Sequence, residues 1–409
     1  MPAPTSRPGF IQRCRSELSL LIAIVCVLAF TTFVDESYRE FPVQNAKTIL
    51  RDISMLGIFA LGAGVVIIAG GIDLSSGSVI AFSGMMFCST CLLLAPRVDG
   101  LPQTDHLPIW VLGAAFVVTL LAAFLVGSFH AWLITSIELP AFVATLASLV
   151  GLRSLAKLLI QDVTQIAYAS KTQKSTIVIS DPLFASLGNV WWIPVGIFVT
   201  LAILLWILMS KTVVGRHLYA LGGNEAATRL SGIRTERLKW LAYCIGSMTA
   251  AMAGILYTAY VSASEPTRDG AGYELNAIAA AVVGGCSLAG GAGTMGGIVL
   301  GSIFLRVVID SVAKSFESRP DLVEGLVVGV LVVLAVAFNE LRGQGLKKHF
   351  FPGPLGLLNV AILALLSAVV IFATASPESR YLNGLLAGGG TLLLLGLRAF
   401  LERRPSAGR

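Results

Sequence analysis

The stretch Ala69-Gly70-Gly71-Ile72-Asp73-Leu74-Ser75-Ser76-Gly77 interrupts a chain that is otherwise apolar over long distances. It places a carboxylate and two hydroxyl groups between two hydrophobic segments that are each about long enough to cross a bilayer. Because lipid offers the backbone no hydrogen-bond partners, glycine-rich irregular backbone at that depth has to lie inside protein or against a wet cavity. Broken helices of this kind are typical of transport paths. The stretch therefore favours a protein that moves a polar solute across a membrane.

The composition agrees with a membrane protein. Mean hydropathy is +0.83, 56% of residues are hydrophobic and 13% are charged, whereas about a quarter of the residues of a soluble domain are charged. The 409 residues leave room for about a dozen spans and for no sizeable soluble domain. We expect no cleavable signal peptide, since the first apolar stretch lacks a small-residue cleavage site.

Apolar runs predict twelve spans, near 18–34, 53–70, 77–95, 109–131, 140–160, 191–209, 239–260, 273–288, 291–310, 322–340, 355–375 and 381–401. With twelve crossings, the basic clusters before the first span, in the 210–240 loop, after the tenth span and at the chain end all fall on one side. The positive-inside rule makes that side the cytoplasm, so both termini are expected there. The loops at 96–108, 161–190 and 261–272 then face outward, and we expect 161–190 to lie against the membrane surface.

The predicted architecture is an all-α polytopic membrane protein with broken helices. Residues 1–17 form a cytoplasmic tail and 18–345 form a ten-span core, whose 210–240 loop faces the cytoplasm. Residues 346–409 add a transmembrane hairpin and a basic tail. We expect the hairpin, 355–401, to pack at the periphery without a direct part in translocation.

The polar residues of the first break are the strongest candidates for the translocation path or its gate. A charge such as Asp73 inside a span is costly unless it is paired or hydrated. Asp73 or Ser75 could instead cap the 77–95 helix, and the two interpretations are compatible. Ser76 belongs to the same candidate set.

A second glycine-rich break repeats the pattern G-G-x-x-L-x-x-G at 284–291, which adds Gly284, Gly285 and Ser287 to the candidate gate. Arg153, on the outer half of the 140–160 span, either lines the path or serves the structure.

Other polar residues have simpler interpretations. Arg306 and Asp310 are expected to neutralise each other at i, i+4 spacing, and His130 is expected to be a hydrogen-bonded interhelical residue.

The 215–233 segment predicts a short cytoplasmic helix. Asn224 can cap it, Glu225 lies in its first turn and Gly232 can end it. Such a short helix does not persist alone in water, so we expect it to dock into a groove of a partner. The candidate coupling residues are Gly222, Gly223, Asn224, Glu225, Ala226, Ala227, Arg229, Leu230 and Gly232. A solvated surface turn is the alternative.

Patterns that suggest enzymes are absent or misleading. Cys88 and Cys91 form a C-x-x-C pair inside an apolar span without nearby histidine or carboxylate, which favours helix packing over metal binding. Residues 291–296 match G-x-G-x-x-G, but a dinucleotide site requires a preceding strand. No phosphate-binding loop or catalytic constellation occurs, so we expect no catalytic residue, no metal, no cofactor and no ATP hydrolysis by this chain.

The motifs together resemble the membrane permease family of the ribose-type ABC sugar importers. The resemblance covers about 40–340 and rests on the segments 70–78, 139–146, 215–233, 264–267, 272–275, 278–280 and 283–291. It implies a homodimeric or pseudo-dimeric pore, an ATPase subunit docked on the coupling helix and a periplasmic sugar-binding protein outside. His130 stands where the family usually has asparagine, Cys286 stands where threonine is more usual, and the C-terminal hairpin goes beyond the usual chain end.

We therefore expect the permease subunit of a bacterial inner-membrane importer for a monosaccharide or related polyol. One alternative is a related permease for branched amino acids or nucleosides. Another is a self-sufficient secondary transporter that uses Asp73 for ion coupling, although a single acidic residue and a basic docking loop argue against it. A membrane enzyme is the least supported.

Overall fold

The computed structural model describes residues 15–169, 173–315, 325–331, 333, 360–368, 371 and 380–403. The helices with defined ends are α1 (Arg15–Val34), α2 (Glu36–Glu40), α3 (Pro42–Ile68), α4 (Ser76–Leu94), α5 (Ile109–Thr135), α6 (Ala141–Tyr168), α7 (Pro182–Asn189), α8 (Trp192–Lys211), α9 (Val213–Gly223), α10 (Glu225–Leu230), α11 (Thr235–Val261), α12 (Tyr273–Val283), α13 (Met295–Ser315) and α14 (Arg380–Arg403). Four two-residue strands accompany them: β1 (Arg97–Val98), β2 (Leu101–Pro102), β3 (Ile177–Val178) and β4 (Ala263–Ser264).

The prediction of an all-α polytopic membrane protein is confirmed. Within the described residues, seven helices are long and apolar enough to cross a membrane: α3, α4, α5, α6, α8, α11 and α13. Two shorter apolar helical stretches, Glu17–Phe33 within α1 and Tyr273–Val283, accompany them. The predicted spans 322–340 and 355–375 fall largely outside the described residues, so the count of twelve stays a prediction.

Three helices form the centre of the bundle. The most apolar stretch is 89% buried in α3, 78% in α4 and 67% in α11, against 28% in α5 and α6 and 22% in α8. Gly62 of α3 permits this close packing, because a Cβ there would lie 1.8 Å from the Thr249 Oγ1 of α11. The apolar outer faces of α5, α6 and α8 are left for lipid or for other subunits.

Helix α3 begins at Pro42, whereas the predicted span began near residue 53. The prediction was too short because the first turns of the helix are polar and were not part of an apolar run. Their charges are neutralised across helices. Arg306 Nη2 donates to Asp52 Oδ2 at 2.7 Å, while Asp310 accepts from the Tyr38 hydroxyl and lies 4.0 Å from Lys314. The predicted mutual pairing of Arg306 with Asp310 is therefore wrong.

The loops predicted to face outward are joined by hydrogen bonds. Strand β3 pairs antiparallel with β4, which joins the 161–190 region to the loop after α11. Asp181 caps α7 by accepting from Phe184 N at 2.8 Å, and its other oxygen accepts from Leu107 N at 2.8 Å. Gly188 of α7 packs directly against the backbone of Tyr260. The 161–190 region thus packs on the end of α11.

The chain divides into two compact units, Met1–Ser315 with Glu324–Val336, and Phe316–Val323 with Ala337–Arg409. The first unit holds every element from α1 to α13. In the second, the helical residues 360–368 pack on α14, where Gly388 faces Ala368 and the Ser367 hydroxyl donates to Ala387 O at 3.4 Å.

Candidate functional site

The first helix break lies between α3 and α4. After Ile68 the N–H of Gly70 donates to Ile67 O and that of Gly71 to Val66 O, both at 2.9 Å, which closes the helix end. Gly70 adopts φ +83°, a left-handed conformation that favours glycine. The chain then runs without regular structure to Ser75.

Asp73 holds the break together. Its Oδ1 accepts from Ser75 N at 2.9 Å and from Ser75 Oγ at 2.6 Å, and Ser76 Oγ donates to Asp73 O at 3.2 Å. This is a local turn closed by an aspartate side chain. Ser75 occupies the N-cap position of α4 but makes no side-chain capping bond. Of the two residues that could cap α4, Ser75 makes no such bond, and Asp73 bonds the cap residue itself.

Asp73 is also part of a buried polar cluster. Only 4% of its surface is exposed, and its Oδ2 has no hydrogen-bond partner among the described residues. His130 of α5 and Tyr243 of α11 are almost fully buried beside it, with ring centroids 6.3 Å apart. The Tyr243 hydroxyl lies 3.5 Å from Ile72 O.

His130 and Tyr243 correct the sequence interpretation in different ways. Neither ring nitrogen of His130 has a partner within the described part of the chain, so the expected interhelical hydrogen bond is wrong. Sequence reasoning missed Tyr243, which lies in no motif and reaches the break only through the packing of α11 on α3.

The second break follows α12. Gly285, Gly290 and Gly291 adopt φ of +92°, +87° and +69°. Ser287 closes a tight turn, because its N–H donates to Ala292 O at 3.0 Å and its carbonyl accepts from Gly290 N at 2.9 Å. A Cβ at Gly285 would meet no atom within 4 Å, whereas one at Gly70 would lie 3.2 Å from the Gly222 Cα, so the second break is more open at this position.

The two breaks meet each other at the end of α9. Gly291 N donates to Ile68 O at 2.9 Å. Gly222 is wedged between them, since a Cβ there would lie 1.9 Å from Ile68 O and 2.5 Å from Gly291 N. We call the backbone contact of Gly70, Gly222, Gly290 and Gly291 the glycine junction. It joins the candidate gate segments directly to the candidate coupling segment.

The coupling segment contains two helices rather than one. Sequence reasoning missed α9, although Thr212 caps it by accepting from Gly215 N at 3.1 Å and Val214, Leu218 and Leu221 have helical spacing. The predicted helix is α10. Asn224 Oδ1 accepts from Ala227 N at 2.9 Å, and Gly232, at φ +79°, follows the helix end. The predicted cap and stop of this helix are confirmed.

Ion pairs fix α10 to the start of α11. Glu225 Oε1 lies 2.7 Å from Lys239 Nζ and 3.7 Å from Arg229, and Arg229 lies 3.3 Å from Glu236. These pairs are partly exposed and individually weak. Beyond them the helix leaves an exposed apolar tip, Leu230, at 90% exposure.

A cavity of about 640 Å³ opens beside the glycine junction. It is bounded by the end of α3, the α5–α6 link, α10 and the first half of α11. Its charged lining residues are Glu138, Glu225, Arg229, Glu236 and Lys239. Tyr243 and Gly71 also reach it, so it adjoins the first break.

Arg153 lies apart from both breaks and holds the loop before α12. Its Nη1 donates to Pro266 O and Asp269 O, both at 2.9 Å. Asp269 itself is 4% exposed and accepts from Glu265 N at 2.7 Å. Burial raises the pKa of the Asp269 carboxyl from 3.8 to about 6.

The structure thus separates the predicted site residues into three places. Asp73, Ser75 and Ser76 lie together in the first break, and Gly284, Gly285 and Ser287 lie together in the second. Arg153 contacts the loop before α12 instead.

The chain matches one protein family over most of its length. A family described as branched-chain amino acid transport system / permease component matches residues 45–336. The ribose import permease protein of Haemophilus influenzae is 33% identical over 299 residues, covering 72% of this chain and 84% of that protein. The ribose import permease protein of Escherichia coli K12 is 32% identical, covering 74% and 87%.

A third relative is the autoinducer 2 import system permease protein of Salmonella choleraesuis, 34% identical over 327 residues, which cover 79% of this chain and 86% of that protein. No solved structure matches the chain.

Proposed function

Because the chain belongs to the family of branched-chain amino acid transport system permease components, we propose that it is the permease subunit of a binding-protein-dependent ABC importer in a bacterial inner membrane. It carries a monosaccharide or related polyol. It is a transport subunit and not an enzyme, so ATP is hydrolysed by a separate partner.

The substrate class is argued from the relatives. The family description names branched-chain amino acids, but the relatives that are 32–34% identical over most of the chain are import permeases for ribose and autoinducer 2. A sugar or related polyol is therefore favoured over an amino acid.

The glycine junction is the observation that carries the proposed mechanism. Its contacts place the end of α9 against the backbone of both helix breaks. Backbone segments packed this closely cannot move independently, so a displacement of α9 and α10 has to displace the breaks. The partner ATPase moves α9 and α10, and the breaks around Asp73–Ser76 and Gly284–Ser287 open and close the path in alternation. Arg153 contributes by holding the loop before α12.

The partners follow from the same geometry and from the family resemblance. The ATPase docks on α10 through the exposed Ala226, Ala227 and Leu230. A periplasmic sugar-binding protein docks on the tied outward loops, and a second permease copy completes the pore. Both termini lie in the cytoplasm.

The proposed function is tested by uptake into vesicles that contain the chain with its ATPase and binding protein. We expect ATP-dependent uptake of radiolabelled ribose or a related sugar, and calorimetry on the binding protein to identify a sugar ligand. Uptake of leucine without any sugar would contradict the substrate class. Uptake by the isolated chain under an ion gradient would contradict the need for an ATPase.

The docking of the ATPase on α10 is tested by Ala226→Trp. Ala226 is exposed and makes none of the ion pairs of α10. The substitution therefore adds a bulky side chain without breaking the ion pairs that hold the helix. We expect loss of ATPase pull-down and of ATP-driven uptake with normal membrane insertion. Leu183→Trp, on the outward helix α7, is the control and should leave the pull-down unchanged. Unchanged ATPase association with Ala226→Trp would remove α10 as the docking site.

A further inference from the structure

A second pocket lies at the other end of α12, away from the glycine junction. It has a volume of about 160 Å³ and opens between α3, α11, α12 and α13. Its polar and aromatic lining residues are Asp52, Tyr257, Tyr260, Tyr273, Asn276 and Arg306, and three apolar side chains complete it. It shares no lining residue with the 640 Å³ cavity beside the junction. We call it the tyrosine pocket.

The walls of the tyrosine pocket combine ring faces with hydrogen-bonding groups. The rings of Tyr257 and Tyr273 meet nearly edge to face, with centroids 5.9 Å apart and planes at 68°. Arg51 lies over the Tyr260 ring, 4.0 Å from its centroid, and keeps that ring in place. A monosaccharide presents C–H groups on its ring faces and hydroxyls around its rim. Aromatic walls with a few placed polar groups suit both features.

The charges of the pocket favour a neutral solute. Asp52 joins Arg306 at 2.7 Å and Arg51 at 3.1 Å. The cluster continues along α13 through the ion pairs of Lys314 with Asp35 and Asp310, so three cations and three carboxylates balance. A charged solute would have to break one of these pairs or remain uncompensated beside them, which is costly where water is limited. Hydroxyl groups carry no charge and can add hydrogen bonds to carboxylate lone pairs without breaking the ion pairs.

Helix α12 links the tyrosine pocket to the second break. Tyr273 and Asn276 are in its first turns, and Gly284, just past its last residue, begins the break. At 1.5 Å per residue, Asn276 and Gly284 are about 12 Å apart along the helix axis. Gly284 and Gly301 place the α12 and α13 backbones in direct contact. A solute that displaces the start of α12 therefore displaces the break as well.

We propose that the tyrosine pocket is a binding site for a neutral monosaccharide-sized polyol in transit, located in the permease itself. The proposal rests on the proposed sugar-import function and adds a location and a chemistry for solute contact. In it, the Tyr257 and Tyr273 rings cover the faces of the solute. The Tyr257 hydroxyl, Asn276 and the Asp52 carboxylate bond its hydroxyls.

The test fills the pocket in the assembled importer. The chain carrying Asn276→Trp is reconstituted with its ATPase and binding protein, and uptake of radiolabelled ribose is measured beside ATPase activity. We expect uptake to fall at least about tenfold while ATPase activity stays within about twofold of wild type. Leu275→Trp is the matched control, because Leu275 is the neighbouring residue, is 53% exposed and lies outside the pocket. It should transport normally.

A second variant keeps the pocket assignment testable if Asn276→Trp does not assemble. Tyr257→Phe retains the ring and removes one hydroxyl, so we expect uptake to fall about two- to tenfold, as for the loss of one neutral hydrogen bond. Tyr168→Phe, at the outward end of α6 and outside the pocket, should leave uptake unchanged.

The outcomes separate the pocket from the function. Absence of sugar uptake by the wild-type importer would overturn the proposed function. Normal wild-type uptake with no difference between Asn276→Trp and Leu275→Trp, or between Tyr257→Phe and Tyr168→Phe, would overturn the pocket alone.

Discussion

The two helix breaks begin with the same pattern of hydrogen bonds but differ in the residues that follow. After α3, the N–H groups of Ala69, Gly70 and Gly71 donate to the carbonyls of Val65, Ile67 and Val66. After α12, those of Gly284, Gly285 and Cys286 donate to the carbonyls of Ala280, Val282 and Ala281. The spacing of the three bonds is identical, so both helices end in the same hydrogen-bonded turn.

The shared turn is offset by one residue from the shared sequence pattern. The pattern G-G-x-x-L-x-x-G aligns Gly70 with Gly284, whereas the hydrogen bonds and the positive φ align Gly70 with Gly285. In the structural alignment Asp73 corresponds to Leu288. A one-residue difference in where the helix ends therefore changes which side chains follow it.

The two breaks differ in charge and in the number of glycines with positive φ. The first has one left-handed glycine among its residues and a buried carboxylate that closes its turn. The second has left-handed conformations at Gly285, Gly290, Gly291 and Gly293 and no charge. They are joined by the bond from Gly291 N to Ile68 O. The first break is thus closed by a buried side chain, and the second is closed by backbone hydrogen bonds through glycines.

The largest effect is expected where the two breaks touch. In Gly222→Ala the new Cβ would lie 1.9 Å from Ile68 O, which the surrounding backbone cannot accommodate without moving. We expect a cost of about 1–3 kcal/mol or more in the free energy of unfolding and at least a tenfold loss of ATP-driven uptake. Uptake assays and thermal melts with a thiol-reactive dye, which reports exposure of the buried Cys88 and Cys91, measure both.

The control for the junction is its neighbour. Gly223→Ala places a Cβ where no atom lies within 4 Å and where φ is not left-handed, so uptake and melting should match the wild type. Equal behaviour of the two alanine variants would show that the breaks do not communicate through Gly222.

The next effect separates charge from hydrogen bonding in the first break. Asp73→Asn keeps an oxygen to accept from Ser75 N and Oγ, whereas Asp73→Leu removes the acceptor and leaves those groups buried and unpaired. We expect Asp73→Leu to cost about 1–3 kcal/mol and to lower expression. Asp73→Asn should express normally, and a loss of its uptake would assign a transport role to the charge. Normal uptake and expression by both variants would exclude either role.

Local features of these breaks could be predicted from the sequence, and distant contacts could not. The Asn224 cap and the Gly232 stop follow from residues within one turn, and the structure has both. The wedge of Gly222 between Ile68 and Gly291 joins residues far apart in the chain, and no pattern marks it. The proximity of Tyr243 to Asp73 was also not predictable, because it arises from the packing of α11 on α3.

Helix α3 illustrates a second limit. The search for apolar runs began this span near residue 53 because charged residues such as Asp52 precede it. In the structure Asp52 is paired with Arg306 of another helix and the span begins at Pro42. Only tertiary pairing makes those polar turns compatible with a buried helix.

The stability of the protein is expected to depend on pH through Asp269, in the loop before α12. The pKa of Asp269, about 6 in the folded protein and 3.8 ordinarily, means that the folded state binds the proton more tightly. Between about pH 4 and pH 6 the folded state then holds more protons than the unfolded chain, so stability falls as pH rises through this window. The two-unit difference sets an upper bound of about 3 kcal/mol.

Melting temperatures of the wild type and Asp269→Asn across pH 4–7 check this sign. The wild type should lose stability toward neutral pH relative to Asp269→Asn, which lacks the titrating group. Asp105→Asn, at an exposed carboxylate in the loop between α4 and α5, is the control and should follow the wild type. Parallel curves for all three proteins would show that burial of Asp269 has no such effect.

The smallest effect is expected from comparing the two left-handed glycines that the helix ends share. Gly70→Ala and Gly285→Ala both force alanine into positive φ, which costs about 1–2 kcal/mol. At Gly70 the new Cβ also comes within 3.2 Å of the Gly222 Cα, whereas at Gly285 it meets no atom within 4 Å. We therefore expect Gly285→Ala to show the conformational cost alone, with uptake near wild type, and Gly70→Ala to be worse in both melting and uptake. Measuring the melts on the isolated chain and on the assembled importer sharpens the comparison. If Gly285→Ala becomes as harmful as Gly70→Ala only in the assembled importer, a partner covers the second break. Equal harm in the isolated chain would contradict the description of the second break as the more open one.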